Sequence, residues 1–230
     1  MTTYKLILMR HGESEWNKLN RFTGWRDIDL SEIGIIEAVK CAKLLELKKF
    51  SFDCAYTSVL KRSIHTMWTI IKYLNLSWIP IKKSWHLNER HYGALQGLNK
   101  DDVIKKYGNN QVQQWRRSFN ISPPQISISE QEVLAIDPKY SHINFNDIPL
   151  SESLESTSKR VLPFWKKVIF PNLKKKKKII IVAHGNSLRA LIKYLSNMSD
   201  QDIMKLDIAT GIPMVYEFDR YFQPIKYHYL

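Results

Sequence analysis

The chain alternates short apolar runs with longer segments whose apolar residues recur at helical spacing. The short runs have the length of buried strands, and the longer segments are typical of amphipathic helices. Strands are predicted at 5–9, 52–58, 78–84, 179–183 and 214–218, the last of which ends the sheet. Helices are predicted at 31–50, 59–74, 152–169 and 186–198. This alternation favours an α/β fold with a mainly parallel central sheet and helices on both faces.

Local signals refine the predicted helices. Ser31 and Ser58 each stand just before a helical segment and are expected to act as N-caps. Pro163 falls inside the third helix, which is expected to tolerate it or to kink there. The first helix has one apolar set that is expected to face the core: Ile35, Ile36, Val39, Ala42 and Leu45.

Residues 86–150 break the pattern of strands and helices. The polar clusters NERHYG and WRRSF are mixed there with Pro123-Pro124 and with few long apolar runs. We interpret this segment as a lid-like insertion over the carboxyl ends of the strands. The whole chain, 1–230, is expected to form a single domain around that insertion.

Composition narrows the class of protein. Of 230 residues, 44% are hydrophobic, which is enough for a sizeable core and excludes a disordered chain. No apolar run approaches the ~18–20 residues of a membrane span, and the N-terminal MTTYKLIL lacks the features of an export signal. Cys41 and Cys54 lie in no CxxC motif and are expected to be buried thiols in a reducing compartment. We therefore expect a cytoplasmic protein with no membrane partner.

The chain is strongly basic, with a formal net charge of +13. Such a charge is typical of nucleic-acid binding, of a site for polyanionic small molecules, or of a bias in residue usage. The most basic run, Lys174–Lys178, falls between a predicted helix and a predicted strand. A charge run in that position is usually a solvated connector, and we favour that interpretation over a nucleic-acid patch.

Two predicted strands end on a histidine followed by a glycine. His11 and Gly12 follow the first strand, and His184 and Gly185 follow the strand at 179–183. Ligands of open α/β sheets bind beyond the carboxyl ends of the strands, where free N–H groups of a turn can hold an anion. One such histidine is more often structural, but two in the same context indicate a shared site.

Two arginines give this site its predicted chemistry. Arg10 precedes the first histidine, and Arg62 lies in the first turn of the helix that follows the second strand. Guanidinium groups bind phosphate in a bidentate manner, and nearby cations keep an imidazole neutral. A neutral His11 is a nucleophile that can carry a phosphoryl group covalently, with His184 and the arginines stabilising the transferring oxygens.

Several motifs then resemble a known family. LMRHGESEWN, RFTGW, YTSVLKRSIHT, LNERHYGALQGLNK, QWRR and AHGNSLRALIKYL are similar to the cofactor-dependent phosphoglycerate mutases of the histidine phosphatase superfamily. RHG alone indicates only the superfamily, whereas TGW, NERHYGALQGLNK and QWRR together indicate the mutase branch. The resemblance implies an isomerase of glycolysis and gluconeogenesis that interconverts 3-phosphoglycerate and 2-phosphoglycerate through a phosphohistidine.

The resemblance also implies roles for individual residues. His11 is expected to be the phosphorylated nucleophile, His184 to face it across the phosphoryl group, and Glu89 to exchange a proton with the substrate hydroxyl. Arg10, Arg62 and Asn17 are expected to bind the transferred phosphate. The remaining substrate-binding positions are Ser14, Thr23, Gly24, Tyr92, Lys100, Arg116, Arg117, Gly185 and Asn186. The family is primed by 2,3-bisphosphoglycerate, needs no metal and is commonly homodimeric.

Two alternatives stay open from the sequence. The same residues also serve bisphosphoglycerate synthases and phosphatases, and the sequence stops at Leu230 without the C-terminal tail of many family members. A site open to water is expected to favour phosphatase activity. The second alternative is a basic nucleic-acid-binding module. Only the net charge and the run Lys174–Lys178 support it. A metal hydrolase is a poor interpretation, since HExxH is absent.

Overall fold

A computed structural model describes residues 4–230 of the chain. The first three residues of the N-terminal sequence considered above lie outside the described residues. The centre of the fold is a six-stranded sheet with the order β3-β2-β4-β1-β5-β6. Its strands are β1 (Tyr4–Arg10), β2 (Cys54–Thr57), β3 (Ile81–Lys83), β4 (Ile179–Ala183), β5 (Pro213–Phe218) and β6 (Pro224–Tyr229).

The sheet is mainly parallel, as predicted. Strands β3, β2, β4 and β1 run in the same direction, while β5 is antiparallel to β1 and β6 is antiparallel to β5. Arg10 pairs with Ala183 in the register of β1 and β4. The next residue of each strand is a histidine, so this register brings His11 and His184 side by side at the carboxyl edge of the sheet.

Helices cover both faces of the sheet. Alternation along β1 sends Leu6 and Leu8 into one apolar cluster, and Ile7 and Met9 into a second cluster on the other face. The helices are α1 (Glu15–Lys18), α2 (Glu32–Leu47), α3 (Lys61–Tyr73), α4 (Lys100–Tyr107), α5 (Asn109–Arg117), α6 (Ile128–Ala135), α7 (Leu154–Phe164), α8 (Phe170–Lys174), α9 (Gly185–Leu195) and α10 (Asp200–Lys205). Helices α7 and α9 contribute to the first cluster, and α2 and α3 to the second.

Helix α2 begins as predicted, but its buried face differs from the prediction. Ser31 is its N-cap, because the Ser31 hydroxyl accepts a hydrogen bond from the Gly34 N–H at 3.1 Å. Ile35 and Ile36 are about half exposed, at 50% and 52%. The helix instead packs through the face that carries most of its small side chains. The buried residues of that face are Gly34, Ala38, Cys41, Ala42 and Leu45.

Two further predictions were wrong. Ser58 does not cap α3, since Leu60 is the N-cap residue and makes no side-chain cap. The Ser58 hydroxyl is instead hydrogen-bonded to the Leu60 N–H and to Nε2 of His184. In addition, β5 does not end the sheet, because the chain turns back after it and adds β6 as an edge strand.

Helix α7 accommodates Pro163 within its last turn, one of the two outcomes that the sequence left open. Helix α7 ends at Phe164 and continues into a π-helical turn, Trp165–Ile169, before α8. Proline lacks the N–H that an α-helix needs, and a π-turn is one way in which the chain absorbs that loss. Both predicted thiols, Cys41 and Cys54, are buried and free.

The segment 86–150 contains helices α4, α5 and α6, joined by loops and short 3-10 turns. It packs on the loop after β1, where the Phe22 N–H donates to the Leu98 carbonyl and Phe22 joins Leu95 and Val112 in a small apolar cluster. Trp25 packs with Tyr140 in another cluster. The segment is thereby held beside the carboxyl edge of the sheet. Within residues 4–230, no helix is both long enough and apolar enough to cross a membrane.

Candidate active site

The two strand-end histidines are in contact and buried. The ring centroids of His11 and His184 are 4.8 Å apart, with the rings edge to face at 62°. Their exposed fractions are only 3% and 0%. His11 is anchored through its backbone N–H, which donates to the Ala183 carbonyl at 3.0 Å and extends the pairing of β1 with β4.

Hydrogen bonds define the state of the His11 ring. Nδ1 lies 2.6 Å from the Gly12 carbonyl oxygen, which accepts only from a protonated nitrogen. Nε2 accepts from Nε of Arg62 at 3.3 Å, so that nitrogen holds the lone pair. Burial, with the charges of Arg62 and Arg10, holds the pKa of His11 well below its usual value. Nε2 of His11 is therefore a neutral nucleophile near pH 7.

Arg62 is fixed by the loop that follows β1. Its Nη2 donates to the Gly24 carbonyl at 2.8 Å and its Nη1 to the Arg26 carbonyl at 2.9 Å. Gly24 itself has a φ of +55°, and a Cβ there would collide with the Gln96 side chain. The guanidinium is thus held rigidly beside His11, and burial lowers its pKa only to about 10, so it remains charged at pH 7.

A cavity of about 110 Å³ opens directly onto His11. Six arginines and one lysine line it, against two carboxylates, which gives the cavity a strongly positive potential. Its lining residues are Arg10, His11, Asn17, Arg21, Phe22, Thr23, Gly24, Arg62, Glu89, Tyr92, Lys100, Arg116, Arg117, Gly185, Asn186, Arg189, Asp207 and Ile208.

Glu89 is the only glutamate in this lining, and its carboxylate is held in place. Oε1 accepts from the backbone N–H groups of Arg90, at 2.8 Å, and Asn186, at 3.1 Å. The second bond ties the carboxylate to the first turn of α9, directly after His184. The Glu89 carboxylate is thus fixed at a cationic cavity that also contains His11, as proton exchange requires.

A buried ion pair supports the backbone around Glu89. Arg160 on α7 binds Glu152 at 2.6 Å, and both side chains are buried. The same guanidinium donates to the carbonyls of His86, Asn88 and Glu89 at 2.8, 3.0 and 2.9 Å. Arg160 and Glu152 therefore position the loop that carries Glu89, although neither lines the cavity.

Most of the predicted site residues are brought together at this cavity. Asn17, Thr23, Glu89, Tyr92, Lys100, Arg116, Arg117, Gly185 and Asn186 line it with Arg10, His11, Gly24 and Arg62. His184 is in contact with His11 but lies outside the lining. Ser14 also lies outside the lining, and its fully buried hydroxyl bonds to Oδ1 of Asn17 at 2.9 Å.

Sequence reasoning missed Arg189 and the two supporting residues Arg160 and Glu152. Arg189 donates to Oδ1 of Asn186 at 2.8 Å from one turn further along α9. The spacing of three residues after the HGN motif is a signal that was present in the sequence. Arg160 carried no such signal, since the carbonyls it binds are more than 70 residues away along the chain.

Several buried polar atoms of the site have no hydrogen-bond partner in the described part of the chain. They include Nε of Arg10, Oγ1 of Thr23 and Nδ1 of His184. Buried polar atoms are almost always paired in native proteins. The atoms of Arg10 and Thr23, which line the cavity, therefore fit a ligand with several acceptor oxygens, such as a phosphate ester.

A neutral strand-end histidine among guanidinium groups, on a mainly parallel α/β sheet, defines an enzyme that transfers phosphoryl groups through histidine. Comparison with known proteins agrees. The model of the histidine phosphatase superfamily (branch 1) matches residues 6–228. The chain is also 66% identical, over 230 residues, to the 2,3-bisphosphoglycerate-dependent phosphoglycerate mutase of Buchnera aphidicola subsp. Baizongia pistaciae, covering 100% of this chain and 99% of that protein. The chain belongs to the histidine phosphatase superfamily, in the family of the 2,3-bisphosphoglycerate-dependent phosphoglycerate mutases.

Solved structures share the fold at low identity. The mycobacterial glucosyl-3-phosphoglycerate phosphatase in complex with VO3 has a TM-score of 0.74 at 19% identity, covering 98% of this chain and 97% of that chain. A phosphoserine phosphatase of Entamoeba histolytica, in complex with 3-phosphoglyceric acid, has a TM-score of 0.66 at 22% identity, covering 98% and 95%. These likenesses bear on the fold alone.

Proposed function

We propose that this chain is a 2,3-bisphosphoglycerate-dependent phosphoglycerate mutase, which interconverts 3-phosphoglycerate and 2-phosphoglycerate. One observation carries the proposal: the neutral Nε2 of His11 lies between the guanidinium groups of a cavity that also contains Glu89. The 66% identity to a mutase of that name over the whole chain supports the same substrates.

The phosphoryl transfer uses four residues of the site. A hydroxyl of bound phosphoglycerate attacks the phosphorus on His11, the bond between phosphorus and Nε2 breaks, and Glu89 accepts the hydroxyl proton. The phosphoryl group on the neighbouring oxygen then transfers to Nε2 of His11, and Glu89 returns the proton to that oxygen. Arg10 and Arg62 stabilise the charge on the transferring oxygens in both directions.

The far end of the cavity fits the rest of the substrate. Lys100, Arg116 and Arg117 supply positive charge there for the carboxylate and the second phosphate. The Tyr92 hydroxyl accepts from Nδ2 of Asn186 at 3.2 Å, which orients both polar groups at the wall of the cavity. We include Ser14 as a residue that acts through Asn17, which it holds in place.

The residues present also fit the primer, 2,3-bisphosphoglycerate. Its phosphates match the many cationic groups of one cavity, and the unpartnered atoms of Arg10 and Thr23 in the lining can donate to acceptor oxygens. Arg10, Arg62 and Thr23 would hold one phosphate, and Arg116 and Arg117 the other. When bound, the primer supplies the first phosphoryl group to His11. Within residues 4–230 no cluster of potential metal ligands is found.

A coupled assay tests this function. Conversion of 3-phosphoglycerate to 2-phosphoglycerate is followed with and without a catalytic amount of 2,3-bisphosphoglycerate, while released phosphate is measured in the same samples. The proposal predicts isomerisation that depends on the primer, is abolished in His11→Ala and exceeds phosphate release. Phosphate release that outruns isomerisation would contradict a mutase and assign a phosphatase.

We further propose that the single domain 1–230 works in the cytoplasm as a homodimer. Strand β3 is an open edge of the sheet, and open edges invite pairing with another chain. Trp78 lies just before β3 and is 74% exposed, and Trp68 on α3 is 49% exposed with the Lys83 ammonium 5.4 Å from its ring. Light scattering is expected to give the mass of two chains, and Trp78→Glu is expected to lower it towards 27.2 kDa.

A further inference from the structure

A second cavity lies at the opposite end of the sheet from His11. It has a volume of about 350 Å³, larger than the cavity at His11. It is built where β1 and β4 begin, from the turn after α2 and the connector that joins α8 to β4. Lys5 near the start of β1 is six residues before His11, a distance of roughly 20 Å at the usual rise of a strand. The two cavities are therefore separate sites.

The rim of this second cavity is formed by lysines. No aspartate or glutamate is among its lining residues. Six lysines line it: Lys5, Lys48, Lys49, Lys176, Lys177 and Lys178. Across residues 4–230, the lysines that form ion pairs with carboxylates all lie elsewhere in the chain, so none of these six is paired in this way.

Two carboxylates near the cavity, those of Asp53 and Glu217, are already engaged. Oδ2 of Asp53 accepts from the backbone N–H of Lys178 at 2.7 Å. Glu217 stands opposite Lys5 in the sheet, but its carboxylate lies 3.9 Å from the Lys226 ammonium and 3.8 Å from Nδ1 of His228. The positive charge of six lysines is therefore gathered around one cavity with little compensation from carboxylates.

Helix C-termini do not account for this concentration of charge. Helices α2 and α8 both end at the cavity, and cations near a helix C-terminus are stabilised by its dipole. Each terminus carries about −0.5 of an elementary charge, so two termini offset about one of six lysines. A solvated connector alone also does not explain why lysines from three separate segments line the same cavity.

The backbone that presents the lysines is held in defined turns. Lys49 and Lys176 have φ values of 58° and 62°, a left-handed conformation that is uncommon for residues with a side chain. Each is locked by a hydrogen bond of 2.8 Å, from Lys49 N–H to the Glu46 carbonyl and from Lys176 N–H to the Leu173 carbonyl. The floor is apolar, and the Lys5 ammonium lies 5.8 Å from the ring centroid of Phe50.

We propose that this cavity binds a compact chain of linked phosphates, three or more in number, either inorganic or as the triphosphate of a nucleotide. Such a ligand carries several negative charges at short spacing, which matches six lysines around one hollow. The volume lies in the range of small-molecule sites. A nucleic acid is disfavoured, since it needs an extended basic stripe that follows its backbone.

Calorimetric titration with sodium tripolyphosphate tests the proposal on the full chain. The titration is done at about 0.15 M salt, where the Debye length of about 8 Å screens distant charges. Saturating 3-phosphoglycerate is included so that the cavity at His11 is occupied. We expect one site, with inorganic monophosphate binding at least tenfold more weakly. Competition by 3-phosphoglycerate that abolishes tripolyphosphate binding would overturn the proposal.

Two charge-matched variants localise the site. Lys176→Gln/Lys177→Gln/Lys178→Gln is expected to lose tenfold or more in affinity. The control Lys72→Gln/Lys106→Gln/Lys167→Gln removes the same charge from positions outside the cavity and is expected to change affinity less than twofold. Equal losses in both triple variants would overturn the proposal in favour of a general charge effect. If the triple variant of Lys176, Lys177 and Lys178 does not fold, Lys5→Gln/Lys48→Gln replaces it, since these two lysines line the cavity from β1 and from the turn after α2. The same loss of affinity is expected.

Two further ligands distinguish the source of the phosphates. ATP in place of tripolyphosphate shows whether a nucleoside is accepted. Binding of either ligand supports the site if the binding is lost in the variants of the cavity lysines. A single-stranded oligonucleotide is expected to bind more weakly than tripolyphosphate. Tighter binding of the oligonucleotide, lost with the same lysines, would overturn the proposal and assign a nucleic-acid surface instead.

Discussion

The two halves of the active site are built differently. The half at the strand ends contains His11, His184 and Arg62, whose exposed fractions are 3%, 0% and 1%. The half contributed by residues 86–150 includes Lys100, Arg116 and Arg117, which are only half-buried. The strand ends and the start of α3 thus hold the groups expected to transfer the phosphoryl group, and the inserted segment supplies Glu89 and the groups expected to recognise the substrate. The difference predicts losses of turnover from the first half and, apart from Glu89, losses of affinity from the second.

The largest effect is expected at His11. His11→Asn removes the nucleophile, so kcat should fall by about 10⁴-fold or more, as for other covalent nucleophiles. Steady-state kinetics with the coupled assay measures the loss. His142→Asn, at an exposed histidine, is the matched control and should retain full activity. Residual turnover within tenfold of the unmodified protein would show that His11 is not the nucleophile.

Arg62→Lys is expected to lower kcat by about 10²–10³-fold, as for the loss of other charge-stabilising donors. An ammonium cannot reproduce the three directed bonds of the Arg62 guanidinium to His11, Gly24 and Arg26. The effect should fall on kcat more than on KM. A change in KM alone would move Arg62 from the reacting half to the recognition half.

Arg160→Met tests whether Arg160, on α7, positions the loop that carries Glu89. Breaking a buried ion pair costs about 3–5 kcal/mol, so chemical denaturation should show a loss of stability of that order. Because the bonds to the Glu89 loop are lost too, kcat should fall by about 10-fold or more in protein that is still folded. Arg160→Lys keeps the charge and should restore stability in part. Normal kcat in folded Arg160→Met would remove its positioning role.

A smaller effect is expected at the recognition end. Arg117 is held by Asp207 at 3.3 Å and touches neither histidine. Arg117→Gln should therefore raise KM about tenfold and leave kcat within about twofold, because uniform binding is lost. Kinetics over a wide range of 3-phosphoglycerate concentrations separates the two constants. An equal fall in kcat would place Arg117 among the reacting groups.

The smallest expected effect is on the pH profile of kcat/KM, in which His11 and Lys100 act at different pH values. Burial lowers the pKa of His11 well below 6.5, so log(kcat/KM) should show no loss of neutral His11 as the pH falls to 6.5. Burial and the Arg116 charge lower the pKa of Lys100 from 10.5, so substrate binding should weaken as the pH rises, and the weakening should begin before pH 10.5 is reached. Lys100→Arg should remove that alkaline fall. A profile unchanged by this substitution would contradict the assignment.

Sequence patterns predicted the strand-borne half well because its signals are local. A buried strand followed by His-Gly occurs twice, and parallel pairing of such strands requires their ends to meet. The residues of the inserted segment were found through resemblance to a family, since polar clusters in a segment without regular periodicity carry no three-dimensional signal. Their roles remain predictions, although most of them line one cavity.

The errors have physical reasons. Ile35 and Ile36 fit an amphipathic pattern, but α2 packs closely through small residues, and packing overrides the pattern. Strand β6 was missed because its Lys226 and His228 are typical of an exposed edge and not of a buried strand. Arg160 was missed because its partners are distant in sequence, and only the folded chain shows its role.

The central claim is that Nε2 of His11 carries the phosphoryl group, and its direct test is to locate that group. The protein is mixed with radiolabelled 2,3-bisphosphoglycerate, quenched in alkali within milliseconds, digested and analysed by mass spectrometry. The account predicts one labelled peptide, phosphorylated at His11 and absent in His11→Asn. Label on another residue, or rapid isomerisation without any labelled protein, would contradict it.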